Sequence, residues 1–96
     1  MKGRLSYREG DVFGIPLRSG GVSIGVIARA KRRNPILLGY FFPYLFPSTP
    51  DVLPDLNPKD AVQIYRFGDL SLIRGKWPIL GRIGAVDRTM WVKPKF

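Results

Sequence analysis

Four cations fall within five residues at Arg29, Lys31, Arg32 and Arg33. Side chains of this kind can clamp phosphates or meet the carboxylates of an acidic protein surface. The same cluster also suits a solvated strand end that keeps a basic protein soluble. Tyr40, Phe41, Phe42, Tyr44 and Phe46 follow closely but are not interleaved with charge. Base stacking between cations, a mark of nucleic-acid recognition, is therefore weakly signalled. These rings are expected in the core, with Tyr44 and Phe46 the pair that reaches a surface.

Catalytic chemistry has few candidates. Ser19 or Ser71 would need a base within hydrogen-bond reach, and the chain has no His. Asp11, Asp69 or Asp87 would serve only if burial lifted its pKa well above about 3.9. Asp11, directly after Gly10, is more simply a turn residue bonding to nearby backbone. Asp51 and Asp55 fall short of the roughly six to eight oxygens that calcium takes. The absence of Cys removes thiolate nucleophiles, disulfides and zinc–thiolate sites, and no phosphate-loop or dinucleotide pattern is present. A non-enzymatic protein with no cofactor and no metal is expected.

The elements that must position these groups come from a chain of 96 residues, 45% apolar, with a formal charge of +9. This composition supports a folded core. One domain over residues 1–96 is expected, because no composition break or internal repeat divides the chain. The opening residues lack the apolar stretch of a signal peptide. The apolar run from Ile36 to Phe46 is broken by Pro43 and falls short of the roughly 20 residues a membrane span needs. A cytoplasmic location without membrane contact is the expectation.

Phe13, Ile15 and Leu17 share one face at the period of a strand, and Val22, Ile24, Val26 and Ala28 do the same. Arg18-Ser19-Gly20-Gly21 lies between them, so the pair reads as a β-hairpin. Pro16 cannot donate to a ladder and belongs near the strand's end or outer edge. Asn34-Pro35 is a turn signal, and Ile36 to Phe42 is apolar on both faces, as in a strand covered on both sides. Residues 43–58 hold five of the nine prolines and form a long irregular excursion, its first half pinned by Tyr44 and Phe46. Asn57-Pro58-Lys59-Asp60 resembles a helix start, good for one or two turns at most. Further strands are expected around Val62–Phe67, Trp77–Ile83 and Thr89–Val92, with turns flanking Leu70–Ile73.

Basic residues sit on both arms. Residues 1–33 carry eight cations and two acids, residues 34–58 only two acids, and residues 59–96 eight cations and three acids. Trp77 and Trp91 suit core packing against the strands, with an interface anchor as the other use of so large a ring.

Three blocks carry a family resemblance. Gly10-Asp11-Val12-Phe13-Gly14-Ile15-Pro16-Leu17 and the hairpin after it resemble the opening of the bacterial immunity protein 26 family. Asp69-Leu70-Ser71-Leu72 with Gly75-Lys76-Trp77-Pro78-Ile79-Leu80-Gly81 resembles a second block, and Arg88 to Phe96 is similar to the closing Trp and Pro-x-Phe elements. The resemblance implies a small β-rich protein encoded beside a secreted toxin, which it binds and neutralises in the producing cell. It brings no catalytic motif, and the shared residues (Phe13, Pro16, Trp77, Pro78, Gly81, Trp91) have a structural character.

The resulting expectation is an all-β fold. It would be a small open barrel or strongly curled antiparallel sheet, SH3-like, with a proline-rich loop at 43–58. Function would be non-catalytic binding of a cognate toxin through Arg29, Lys31, Arg32, Arg33, Tyr44 and Phe46. A basic immunity protein calls for an acidic or apolar partner surface. A basic nucleic-acid-binding barrel is the alternative, and a small-barrel ribonuclease working with Asp and Tyr is a more distant one.

Overall fold

Alternating apolar residues build β1 (Asp11–Pro16) and β2 (Val22–Arg29), paired antiparallel with Phe13 opposite Gly25 and Pro16 opposite Val22, in a computed structural model that describes residues 7–31 and 33–94. Gly20 and Gly21 take φ of 90° and 86° in the connecting turn, a backbone that a side chain would strain. Pro16 closes β1, where a missing N–H costs least. The expected hairpin is present.

β3 (Ile36–Phe41) pairs with β2, and β4 (Gln63–Gly68) pairs with β3 through six successive residue pairs. Residues 42–57 contain no regular element. Phe46 is nevertheless bridged to Val22 by two backbone hydrogen bonds of 2.7 and 2.9 Å, which pins the first half of this excursion as expected. A short 3-10 turn, Pro58–Asp60, follows, and the Asn57 side chain accepts the Lys59 N–H at 2.9 Å in the anticipated capping role. One turn of helix, α1 (Leu70–Ile73), precedes β5 (Ile79–Arg82), which pairs with β1.

The five strands form one antiparallel sheet in the order β4-β3-β2-β1-β5. β4 and β5 lie at opposite edges without pairing to one another, so the sheet is open. The all-β antiparallel reading holds, and the sheet does not close into a barrel. Thr89–Val92 is also corrected: it is a turn, not a strand. The Asp87 carboxylate accepts both the N–H and the hydroxyl of Thr89, and the N–H groups of Met90 and Trp91 return to the Asp87 carbonyl. These local bonds outcompete a ladder.

Because β3 is apolar on both faces, the sheet carries a core on each side. Val12, Ile24, Val26, Ala28, Leu38, Tyr40 and Phe42 face one side, covered by Trp91 and by Leu53 and Leu56 of the excursion. Phe13, Ile27, Leu37 and Phe41 face the other, covered by Tyr7, Leu72 and Trp77. Phe13 has room for its ring because Gly25 faces it with no side chain; a Cβ there would sit 2.5 Å from the ring. Trp77 then stacks flat on Phe13 at 5.5 Å. Each fully buried large apolar side chain contributes about 1.5–3 kcal/mol. Both tryptophans therefore pack on the sheet, one on each face.

Candidate functional site

A cleft of about 580 Å³ opens where β2 ends and β3 begins. Among the described residues Arg29, Lys31, Arg66, Arg88 and Lys93 line it, against a single acid, Glu9, and Ile36 and Leu38 supply an aliphatic floor.

A β-bulge aims Arg29 into this cleft. Ile27 lies opposite Gly39, but Arg29 lies opposite Leu38, so two β2 residues face one β3 residue. Strict alternation would send Ala28 and Arg29 to opposite faces; the extra residue relaxes that rule. Ala28 fills the core and Arg29 lies on the same side as Leu38 and Tyr40. Leu38 in turn opposes Arg66 on β4. Arg29 and Arg66 therefore flank Leu38 in one cross-strand row, two strand spacings or about 10 Å apart.

Hydrogen bonds give the cleft its walls. Arg29 donates from Nη1 to the Ala28 carbonyl at 2.7 Å. Glu9 accepts the Ala30 N–H at 3.0 Å, and both its oxygens accept Nη2 of Arg88 at 3.0 Å. Next to this clasp, the Arg82 Nε donates to the Asp11 carboxylate at 2.9 Å and Nη2 donates to the Glu9 carbonyl at 2.9 Å. The start of β1 thus holds β5 and the segment after it. Burial pushes the Tyr40 phenol above its ordinary pKa of 10.0, while the positive charge of Arg29 pulls in the opposite direction.

The residues singled out in the sequence are divided between two places. Arg29 and Lys31 share the cleft, and Arg33 is exposed in the adjoining turn with φ of 66°. Arg32 lies outside the described residues. Tyr44 and Phe46 are at the opposite end of β2, because Phe46 is bridged to Val22, the strand's first residue. Eight residues of strand separate these ends by about 23 Å at ~3.3 Å per step. Tyr44 and Phe46 are half-buried against the core, with Tyr44 stacked on Phe42 at 6.1 Å. Glu9, Arg66, Arg88 and Lys93 escaped the sequence reading, since only the folded sheet and the C-terminal segment bring them beside Arg29.

The aspartates weighed as bases are engaged elsewhere. Asp11 accepts the Arg8 N–H at 2.9 Å, the turn role expected of it, and also pairs with Arg82. Buried Asp69 accepts the Tyr7 hydroxyl. Asp87 is held below its ordinary value by the Thr89 hydroxyl and N–H. Among the described residues no three His, Cys, Asp or Glu side chains gather to hold a metal. A second groove, of about 550 Å³, runs between the excursion and Trp91 and is lined by Leu53, Leu56 and Met90.

A family model described as Immunity protein 26 matches residues 8–96. No curated protein and no solved structure matches the chain.

Proposed function

The chain belongs to the immunity protein 26 family, and from that premise we propose that it binds and neutralises a cognate bacterial toxin in the cytoplasm of the cell that makes both. The family match over residues 8–96 is the observation that carries this reading. Neutralisation proceeds by covering a functional surface of the toxin, without turnover. Chemical inventory supports this: the chain has neither imidazole nor thiol, and Asp11, Asp69 and Asp87 are each tied to a structural partner. Arg29, Lys31 and Arg33 belong to the contact surface. Tyr44 and Phe46, both half-buried, contribute at a second point.

Strong positive charge gives this binding its character. A net charge of +9 speeds encounter with an acidic partner and repels a basic one. The test is co-expression with the toxin domain encoded beside the gene. Growth of cells making that domain should be restored by this chain, and the two should co-purify after nuclease treatment. Persistent toxicity, or a complex that dissolves once nucleic acid is digested, would count against the proposal.

A further inference from the structure

We propose that the cleft at the end of β2 receives an acidic segment of a protein partner, with the partner's carboxylates among Arg29, Lys31 and Lys93 and an aliphatic side chain over Ile36 and Leu38. The identification of that partner as the toxin rests on the immunity reading; the chemistry of the cleft does not.

Charge complementarity selects the occupant. Among the described residues Arg82 pairs with Asp11 and Arg88 with Glu9, and neither carboxylate pairs with Arg29, Lys31 or Lys93. Three cations converging on one concavity repel one another, and an incoming carboxylate relieves that repulsion. Glu9 shows how the wall handles such a group. Its carboxylate is gripped by a guanidinium and a backbone N–H, both at 3.0 Å, which is charge-assisted bonding from two directions. Glu9 satisfies Arg88 from within the fold, and Arg29, Lys31 and Lys93 are left for a partner.

The floor distinguishes protein from nucleic acid. Ile36 and Leu38 are aliphatic, and among the described residues no aromatic side chain lines the cleft. Bases would find no ring among these residues on which to stack, whereas Leu or Ile beside an acidic residue would find a matching apolar surface. Glu9 inside the cleft also opposes a phosphate chain more than an isolated carboxylate. A volume of about 580 Å³ is on the scale of a few side chains, too small for a duplex.

The test is fluorescence anisotropy with the purified full chain and a short labelled peptide alternating aspartate and leucine. An asparagine counterpart and a single-stranded oligonucleotide of equal charge serve as comparison probes. Lys31→Glu with Lys93→Glu alters the cleft, and Arg18→Glu with Lys59→Glu makes the same change in net charge at exposed positions elsewhere. The acidic peptide should bind and the asparagine peptide should not. The cleft pair should weaken binding by about ten-fold or more, and the distant pair by no more than about two-fold. Should the cleft pair misfold, Lys31→Ala with Lys93→Ala gives the same comparison in milder form. Equal weakening by both pairs, tighter binding of the oligonucleotide, or no peptide binding would overturn the proposal. The two readings fail separately: peptide binding that survives without toxin rescue removes only the immunity reading, and rescue without cleft-dependent binding removes only the cleft.

Discussion

The hydroxyl of Tyr40, one residue from the end of β3, donates to the Val92 carbonyl at 2.6 Å and so fixes the backbone one residue before Lys93. Trp91 packs edge-on against the same tyrosine ring at 4.9 Å. The residues that hold the C-terminal segment on the sheet are therefore those that deliver its cation to the basic cleft. Core packing and the candidate docking surface are two consequences of one contact.

Tyr40→Phe removes this hydrogen bond and leaves the ring. The expected loss is about 0.5–1.5 kcal/mol of stability, read from the midpoint of urea unfolding. Lys93 should also contribute less to acidic-peptide binding in this variant. An unchanged midpoint together with undiminished binding would show that Trp91 alone holds the segment.

Tyr7→Phe leaves the buried Asp69 carboxylate without its phenol donor, at a cost of roughly 1–3 kcal/mol. Asp69→Asn, which keeps an acceptor for the hydroxyl, should cost less. A thermal-melt series of the two variants checks the order.

Alkaline pH should destabilise the fold through the same phenol. Burial, and then the Asp69 side chain, raise the Tyr7 pKa above its ordinary 10.0, and burial raises that of Tyr40. Above pH 10.0 the unfolded chain releases these protons while the folded chain retains them. Stability should accordingly be flat toward neutrality and fall as pH rises past that value. The fall should be shallower in Tyr7→Phe, measured as urea midpoints across the alkaline range. Asp87 acts at the other end: its lowered pKa adds stability that is lost as pH drops below its ordinary 3.8.

Gly25→Ala should be destabilising by about 1–3 kcal/mol, because the new methyl would lie 2.5 Å from the Phe13 ring. Pairing it with Phe13→Leu should recover part of that loss, since the two substitutions share one space. Additive losses in the double mutant would mean that the ring does not set the requirement for glycine.

Trp91→Ala should cost about 3–5 kcal/mol, as it empties the space over Tyr40 and Phe42. Denaturant unfolding measures it. A loss under about 1 kcal/mol would mean that the excursion collapses to fill the gap.

Much of the fold was legible because the determining signals are local. The hairpin follows from alternation around Gly20 and Gly21, the doubly covered β3 from an apolar run with no polar face, and the 3-10 turn from Asn57 and Pro58. Thr89–Val92 misled because its apolar residues match a short strand, while the bonds from Asp87 decide the backbone. The candidate cleft was half legible. Arg29 and Lys31 stand out as a charge cluster, but the bulge that turns Arg29 toward Leu38 leaves no trace in alternation. Glu9, Arg66, Arg88 and Lys93 are scattered along the chain and converge only through strand pairing and the Tyr40–Val92 bond. Tyr44 and Phe46 looked close to the cations in sequence, yet an antiparallel strand carries its two ends apart.

Titrating the purified toxin domain encoded beside the gene with this chain, while following the toxin's activity, tests the central claim most directly. Activity should fall in proportion to the chain added and vanish near equimolar ratio, in a complex whose association slows as salt is raised. Progressive inactivation of excess toxin by a trace of this chain would contradict it, because a protein that works only by docking cannot act more than once.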